Sequence, residues 1–315
     1  MVALKDIRNA YRKIKKDIYP TPVLTRDFVN RQYGNRITLK LENLQRSGAF
    51  KIRGVLNKIG SLTRRDRDKG IICATSGNHG LGVAYVSHWE NLKASVIVPE
   101  STPEHKIARL KKLAAVTVTG QTFLESYRYA IKKAEEENLT FIHPFADPLI
   151  IAGQGTIGLE VMEQVPDADC VVVPIGGGGL IAGILTAIKE QNPSVRVIGV
   201  QAEGAAAVFS AWKSGRVKEL KKINTIAEGI AVKKTEEINL SIISKYIDDI
   251  VLVNDDDIRF AMKTAFDEYK VVVETAGVAS LAAVIRGKTG LLGRKIVSVI
   301  TGGNISLDQF ILHTA

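Results

Sequence analysis

Residues 171–180 read VVVPIGGGGL, an apolar run that leads into four consecutive glycines and a second apolar segment. Continuous apolar runs are typical of parallel strands that are buried on both faces. Glycine has no Cβ atom, so the backbone N–H groups of such a turn can surround an anion at the start of a helix. A purely structural turn needs fewer glycines, and each one adds an entropic cost. The stretch therefore predicts a strand, an anion-binding turn and a helix.

Strands and helices alternate outward from this unit along the whole chain. Predicted strands occupy residues 37–41, 71–74, 95–98, 116–118, 141–142, 170–173, 195–200, 250–253 and 296–300. The helical spacing of apolar residues predicts helices that include residues 105–113, 123–137, 181–190 and 257–270. This alternation predicts an α/β fold of open, twisted, largely parallel sheets with helices on both faces. Glycine-bearing turns at 75–80, 176–179 and 302–303 follow strands, so they can converge on one cleft.

The composition is that of a globular protein with a basic surface. Of the 315 residues 45% are hydrophobic and 24% are charged, and the formal net charge is +10. Basic residues are scattered among acidic ones and aromatic residues make up 6%, which argues against nucleic-acid binding. No stretch approaches the roughly 18 apolar residues of a membrane span. Cys73 and Cys170 lie in apolar runs, as buried thiols of a reducing compartment do, so we predict a cytoplasmic protein.

A lysine motif precedes the first of these turns. Residues 47–54 read SGAFKIRG and place Lys51 between Phe50 and Ile52, just after a turn of small residues. Partial burial disfavours the ammonium form and lowers the pKa of a lysine, as an amine that forms a Schiff base requires. The alternative is that Lys51 is one of many surface lysines on a helix.

A second motif, residues 71–80, reads IICATSGNHG and consists of a strand, a polar turn and the start of an apolar helix. The first N–H groups of such a helix have no partners within the helix, and they attract a carboxylate or a phosphate. The alternative is an ordinary helix cap that Ser76 or Asn78 supplies.

The glycine turn also fits the dinucleotide-binding pattern G-x-G-x-x-A. Gly177, Gly179 and Ala182 supply the pattern, and Glu203 ends the next strand about 20 residues further on. An NAD-dependent reductase is therefore an alternative. It leaves the lysine motif and the turn at residues 76–80 without a role.

The four motifs SGAFKIRG, TSGNHG, GGGGL and TGGN (residues 301–304), in this order, resemble those of the threonine dehydratase and serine racemase family. The resemblance extends from about residue 18 to the C-terminus. It includes IAGQGTIGLE at residues 151–160 and TIAEGIAV at residues 225–232. Members of this family are pyridoxal-phosphate (PLP) enzymes of fold type II, the tryptophan-synthase-β type.

The resemblance implies a two-domain architecture. A large PLP-binding domain would consist of residues 1–62 and 147–315, and a small domain of residues 63–146 would be inserted between them. Residues 63–69, TRRDRDK, are the most linker-like stretch. Relatives are usually dimers or tetramers, so we expect a homo-oligomer. The chain ends soon after TGGN, where biosynthetic threonine deaminases continue into a regulatory domain, so we expect no feedback inhibition by isoleucine.

The resemblance also assigns roles to individual residues. Lys51 would hold the cofactor as a Schiff base and then act as the base at Cα of the substrate. Phe50 would pack against the cofactor ring, Asn78 would hydrogen-bond its 3-hydroxyl, and Thr301 would face its pyridine nitrogen. The phosphate would be held by Gly176, Gly177, Gly178, Gly179 and the amide of Leu180. The substrate carboxylate would be held by Ser76, Gly77, Asn78 and His79.

The implied reaction is an α,β-elimination. A hydroxyl partner such as Thr301 does not hold the pyridine nitrogen protonated, which makes the ring a weaker electron sink and favours rapid loss of the β-hydroxyl. The expected products are 2-oxobutyrate and ammonia from L-threonine, and pyruvate and ammonia from L-serine. A 3-hydroxyaspartate dehydratase is an alternative that uses the same chemistry.

Other residues bear on the choice between a dehydratase and a serine racemase. Ser76 stands where racemases of the family place a second proton donor, which favours a racemase or a bifunctional enzyme. Phe145 resembles dehydratases, because racemases tend to carry asparagine there. The divalent-metal site of racemases would use Glu203 and the carbonyl of Ala207, but Phe209 replaces the acidic third ligand. We therefore expect a dehydratase.

Overall fold

The structure of the protein, a computed structural model, describes residues 1–75 and 77–315. Its strands are β1 (Val23–Thr25), β2 (Arg36–Leu41), β3 (Ile71–Ala74), β4 (Ala94–Val98), β5 (Ala115–Val118), β6 (Thr140–Phe141), β7 (Cys170–Pro174), β8 (Arg196–Ala202), β9 (Asp249–Val253) and β10 (Lys295–Ile300). Its helices are α1 (Leu4–Ile14), α2 (Asp27–Tyr33), α3 (Ile52–Ile59), α4 (Arg64–Lys69), α5 (Asn78–Trp89), α6 (Glu104–Lys111), α7 (Phe123–Glu136), α8 (Pro148–Gln164), α9 (Gly179–Lys189), α10 (Ala207–Ser214), α11 (Glu237–Tyr246), α12 (Asp255–Asp267), α13 (Ala279–Ile285) and α14 (Leu307–Thr314). Every predicted strand and helix is present, with ends shifted by a few residues.

The larger sheet has the strand order β1-β2-β10-β7-β8-β9. Strand β1 is antiparallel to β2, and the other neighbouring strands are parallel. Alternate residues of β7 point into different cores: Val172 packs with α12 and α13, whereas Val171 and Val173 pack with α8 and α9. Helices therefore cover both faces of this sheet, as its apolar strands predict.

The smaller sheet has the order β5-β4-β3-β6, and all its neighbouring strands are parallel. Helix α7 covers one face, where Ala130 packs on Ile72. Helices α3 and α5 cover the other face. The predicted α/β class with largely parallel sheets is confirmed. Ile14 of α1 and Ile52 of α3 join the core of the smaller sheet, so the two sheets share helices and the predicted domain limits stay a prediction.

Two segments differ from the sequence prediction. Residues 63–69, which the sequence predicts to be a linker, instead form helix α4 and its N-cap. The hydroxyl of Thr63 accepts a hydrogen bond from the Asp66 N–H at 3.2 Å and so caps the helix. The segment is therefore helical and not irregular, and its place between the two predicted domains stays a prediction. Strand β1 is not predicted, since three residues are too few to show a periodicity. Within the described ranges, no helix has both the length and the apolarity that crossing a membrane requires.

Backbone pairing fixes the position of the lysine segment. The carboxyl ends of β3, β7 and β10 carry the three glycine-bearing turns. After β10 the chain pairs with the lysine motif: Ala49 forms an antiparallel bridge with Gly302, and the Phe50 N–H donates to the Thr301 carbonyl at 3.1 Å. Lys51 then stands at the start of α3, next to the turn after β10.

Arg53, two residues beyond Lys51, lies in a buried network of charges. Its guanidinium donates to Glu42 at 2.7 Å and to Glu160 at 2.6 Å, and Lys40 donates to Glu160 at 2.6 Å. These side chains are at most 3% exposed. Burial alone raises the pKa of Glu42, but the Arg53 guanidinium lowers it below the ordinary value of a glutamate. The network therefore holds charges where water does not reach them.

We predict that Arg53→Met lowers the free energy of unfolding by about 3–5 kcal/mol, because it leaves buried carboxylates without their partner. Equilibrium unfolding in urea measures this change. Lys132→Met is the matched control: it removes an exposed pair with Glu136 at 3.6 Å and should change the free energy by less than about 1 kcal/mol. An equally small change for Arg53→Met would contradict the prediction.

Candidate active site

A cavity of about 690 Å³ opens at the carboxyl ends of β3, β7 and β10. Its walls include Lys51 from the lysine motif, Asn78 from the turn after β3, Gly177 from the turn after β7 and Thr301 from the end of β10. The three turns that the sequence predicts to converge thus meet in one cavity. The cavity brings together residues from both sheets.

The ε-amino group of Lys51 reaches into this cavity. Its Nζ donates a hydrogen bond to the Pro144 carbonyl at 2.8 Å and lies 5.2 Å from the centroid of the Phe50 ring. Burial away from water lowers the pKa of Lys51 to about 8. This is the direction that the sequence predicts, and Lys51 lines the cavity instead of standing on the outer surface.

The glycine turn presents a row of unpaired backbone donors. Among the described residues, none accepts a hydrogen bond from the N–H groups of residues 176–181, although most of this segment is buried. Helix α9 begins at Gly179, so its dipole adds positive potential at the same place. These donors form a site for a phosphate or another anion.

Packing accounts for two of the four glycines, and backbone conformation accounts for a third. A Cβ atom at Gly177 would lie 2.5 Å from the Phe145 ring, and one at Gly179 would lie 2.4 Å from the Phe145 carbonyl oxygen. Gly178 has a φ of +97°, which favours glycine. The number of glycines therefore says less about anion binding than the sequence suggests. The unpaired N–H groups are the stronger indication.

The turn before α5 is capped by Thr75. Its hydroxyl oxygen accepts hydrogen bonds from the N–H groups of Gly77 at 2.9 Å and Gly80 at 3.1 Å. Ser76, a predicted substrate ligand and proton donor, lies outside the described residues. The N–H groups of Asn78 and His79 have no acceptor in the described part of the chain. They remain available to a carboxylate.

His79 is a neutral imidazole. Its Nε2 lies 2.9 Å from the Ile142 carbonyl oxygen, which identifies Nε2 as the protonated nitrogen. Burial and, to a lesser extent, the nearby Lys51 lower the pKa of His79 to about 3. His79 can therefore hold a carboxylate through its backbone N–H group, but its ring adds no positive charge.

Glu274 is a site residue that the sequence motifs do not indicate. Asn78 Nδ2 donates to Glu274 Oε1 at 2.5 Å, and Asn78 Oδ1 accepts from Asn304 Nδ2 at 2.8 Å. A Cβ atom at Gly302 would lie 2.2 Å from Glu274 Oε1, so this close approach requires glycine. The available sequence signal is a single carboxylate directly after the apolar residues 271–273.

Thr301 lies at the end of β10 and is 5% exposed. Its backbone is fixed, because its N–H donates to the Gly277 carbonyl at 3.0 Å and its carbonyl accepts from Phe50 at 3.1 Å. Thr301 lines the cavity, and no described residue hydrogen-bonds its side-chain hydroxyl. The hydroxyl is free to meet a polar atom of a ligand.

Helix α6 lines one wall of the cavity through Lys106, Arg109 and Leu110. Lys106 donates to Glu228 at 2.8 Å, and Arg109 donates to Asn304 Oδ1 at 2.7 Å. Lys106 and Arg109 follow β4 of the smaller sheet, whereas Glu228 and Asn304 follow β8 and β10 of the larger one. These polar contacts, which the sequence motifs do not indicate, connect the two sides of the cavity.

Among the described residues, the predicted metal site of Glu203 and the Ala207 carbonyl has no third acidic ligand. Glu203 is exposed, at the start of a 3₁₀ turn that follows β8, and Ala207 begins α10. The Phe209 N–H donates to Gln201 Oε1 at 2.7 Å. Among the side chains that the structure describes, no three of His, Cys, Asp or Glu are close enough together to hold a metal ion. Metal binding by Glu203 and Ala207 stays a prediction.

The donors of the cavity suit PLP. The unpaired N–H groups of residues 176–181 match a phosphate. The amine of Lys51, with its lowered pKa, matches an aldehyde. Phe50 offers a ring for stacking, and the Thr301 hydroxyl offers a neutral partner for a pyridine nitrogen.

Comparisons with known proteins agree with this fit. Residues 14–302 match the family model described as pyridoxal-phosphate dependent enzyme. The chain is 41% identical to the L-threonine ammonia-lyase of Thermotoga maritima, over 98% of the chain and 77% of the relative. It is 40% identical to the catabolic L-threonine dehydratase of Escherichia coli K12, over 98% of the chain and 94% of the relative.

The fold agrees with a solved structure of the same type. Maize serine racemase superposes with a TM-score of 0.94 at 30% sequence identity, over 99% of this chain and 96% of the racemase. The resemblance and the fold type II class inferred from the motifs are confirmed, and so is PLP as the cofactor. The dinucleotide-binding alternative loses its support. The chain belongs to the family of pyridoxal-phosphate-dependent enzymes.

Proposed function

We propose that this protein is a threonine ammonia-lyase that converts L-threonine to 2-oxobutyrate and ammonia, and L-serine to pyruvate and ammonia. The observation that carries the proposal is one cavity that contains both a lysine with a pKa of about 8 and a row of unpaired N–H groups. The relatives that share about 40% of the sequence have this activity in their names.

Each motif has a defined task in this proposal. The N–H groups of residues 176–181, which have no acceptor among the described residues, would hold the phosphate of the cofactor. Phe50 would pack on its ring, Asn78 would hydrogen-bond the 3-hydroxyl, and Thr301 would face the pyridine nitrogen. Bound PLP supplies an aldehyde for the substrate amine and a ring that accepts electron density from Cα.

Lys51 moves the proton of the reaction. A lysine with an ordinary pKa is almost entirely protonated at neutral pH and cannot act as a base. With a pKa of about 8, a useful fraction of Lys51 is neutral and can take the proton from Cα of the substrate. The proton from Cα and the hydroxyl from Cβ leave the substrate as water overall, and hydrolysis of the unsaturated product then releases the 2-oxo acid and ammonia.

The start of α5 orients the substrate. The free N–H groups of Asn78 and His79 point where the helix dipole favours a carboxylate. Gly77 gives the carboxylate close access, because no atom lies within 4 Å of the position of a Cβ atom there. Ser76 is the remaining predicted ligand of this carboxylate.

The side-chain end of the substrate favours threonine over 3-hydroxyaspartate. The Phe145 ring lies against the glycine turn and makes an edge contact with the His143 ring at 4.8 Å between centroids. His143 Nδ1 accepts hydrogen bonds from the N–H groups of Phe145 and Ala146, at 3.1 and 2.8 Å, which fixes this segment. The Phe145 ring suits a methyl group, and the neutral His143 ring offers no positive charge to a second carboxylate.

Serine racemase is the second candidate, because of the TM-score of 0.94 with the maize enzyme. Racemisation needs a proton donor on the face of Cα opposite Lys51, and Ser76 is the predicted donor. Phe145 in place of asparagine favours elimination. The two activities differ in product, since a racemase yields D-serine with little pyruvate.

We further propose a cytoplasmic homo-oligomer. Cys73 and Cys170 are both buried free thiols, and burial raises the pKa of each, as expected of unreactive cysteines in a reducing compartment. The number of subunits, two or four, is inferred from the family resemblance.

The test of the function is an assay of purified holoenzyme with L-threonine and L-serine. We expect a visible absorption band from the bound cofactor, and 2-oxo acid release that Lys51→Ala lowers by about 10²–10⁴-fold, the contribution of a general base. Lys132→Ala, which changes an exposed lysine of α7, is the matched control and should retain the band and the rate.

Three outcomes decide the proposal. Oxo-acid release that depends on Lys51 supports it. D-Serine formation with little pyruvate would assign the racemase activity instead. A holoenzyme without a visible band, or a Lys51→Ala variant with the normal rate, would refute the role of Lys51.

The pKa of Lys51 also predicts how cofactor uptake depends on pH. A base is neutral above its pKa, so with a pKa of about 8 roughly a tenth of Lys51 is neutral at pH 7 and about half at pH 8. The rate at which apoenzyme takes up PLP covalently should rise about fivefold from pH 7 to pH 8 and level off above about pH 9. Stopped-flow absorbance measures this rate. An unbroken rise of about tenfold per pH unit up to pH 10 would indicate an ordinary lysine.

A further inference from the structure

Asn78, which we propose to bind the 3-hydroxyl of the cofactor, is held by partners on both ends of its amide. Its Nδ2 donates to Glu274 Oε1 at 2.5 Å, and its Oδ1 accepts from Asn304 Nδ2 at 2.8 Å. One N–H of Asn78 remains unpaired by these contacts. The orientation of the amide decides whether that N–H or a carbonyl oxygen meets the cofactor.

The orientation is fixed through Asn304. Asn304 Nδ2 donates to the Ser47 carbonyl at 2.9 Å, and that carbonyl can only accept. Asn304 Oδ1 accepts from Arg109 at 2.7 Å, and a guanidinium can only donate. Both ends of Asn304 are therefore assigned without ambiguity, so Asn78 must turn its oxygen to Asn304 and its nitrogen to Glu274.

Glu274 closes this chain of hydrogen bonds with a carboxylate. It lines the cavity, and the Cβ-free Gly302 lets it approach Asn78. The other charged groups that act on it are Lys106 and Glu228, which pair with each other at 2.8 Å, so their effects largely offset. Burial raises the pKa of Glu274 to about 7.

We propose that Glu274 is a positioning residue that acts through Asn78: together with Asn304 its carboxylate holds the Asn78 amide in this orientation toward the cofactor, and its charge sets the acidity of the cofactor ring. This proposal rests on the proposed PLP site. Glu274 touches Asn78 and is not assigned a contact with the substrate.

The charge of Glu274 acts on the ring in a defined direction. A carboxylate beside the ring stabilises the protonated, more positive form of the bound cofactor. Its protonation near pH 7 removes that stabilisation. The visible spectrum of the holoenzyme should therefore contain a titration step near pH 7 that belongs to Glu274, besides the titration of the cofactor itself.

The experiment is a spectral pH titration of holoenzyme without substrate. Glu274→Gln keeps an acceptor for Asn78 but cannot titrate. We expect it to lose the step near pH 7 and to shift the titration of the visible band to lower pH by about one unit. Cofactor affinity, measured by dilution of the holoenzyme, gives a second readout that does not depend on turnover, and should fall.

Glu228→Gln is the matched control, because it removes the other carboxylate near Glu274. It should keep the step, at slightly lower pH, since the charge of Glu228 raises the pKa of Glu274. Glu274→Asp, which retains a carboxyl group, should also keep a step. This variant tests the proposal if Glu274→Gln does not fold.

An unchanged step near pH 7 in Glu274→Gln would overturn the proposal, as would a wild-type spectrum without any such step. Loss of the step in Glu274→Asp while its cofactor stays bound would do the same. These results differ from failure of the proposed function, which would appear as a wild-type protein with no visible band at all.

Discussion

The pairing of the lysine motif with the end of β10 is the constraint on which the site depends. Ala49 bridges Gly302, and the Phe50 N–H donates to Thr301 at 3.1 Å. Because these bonds are made by the backbone, they place Lys51 beside the carboxyl ends of parallel strands whatever the side chains around them do. The glycine turn, the start of α5 and the Thr301 hydroxyl then face the same cavity. Arg53, which follows Lys51 in the same segment, is held in place by buried ion pairs with Glu42 and Glu160.

Two buried cations near the site, Lys51 and Arg53, differ in whether they have a carboxylate partner. Lys51 has no carboxylate partner among the described residues, so burial alone lowers its pKa. Arg53 lies two residues further on and is paired with two carboxylates, which keep it charged. The same short segment therefore carries a cation that is stable when charged and an amine that readily becomes neutral. The partners thus add to the intrinsic difference between the two residue types, because a guanidinium stays protonated in proteins whereas burial without a carboxylate lowers the pKa of Lys51.

Local sequence patterns predict most of the fold and the motif residues of the site. The predicted strand at 71–74 coincides with β3, because four apolar residues bounded by Gly70 and Thr75 leave little choice of ends. Glu274 is not predictable in this way, since its role depends on contact with Asn78, 196 residues away in the chain. Residues 63–69 look like a linker, yet the Thr63 cap makes a helix of them. The number of glycines at 176–179 overstates the evidence for anion binding for a similar reason. Gly177 and Gly179 are also required by the close approach of Phe145, which is a tertiary contact.

We expect the contacts of α6 across the cavity to have a kinetic consequence. The Lys106–Glu228 pair, at 2.8 Å, joins a helix of one side to a turn of the other, and Glu228 is 59% exposed. Opening that edge requires the pair to separate, whereas chemistry at Lys51 does not. Dissolved salt screens charges at such an exposed contact and leaves the buried Arg53 network nearly unaffected. We therefore expect ionic strength to affect substrate entry and product release more than the stability of the fold.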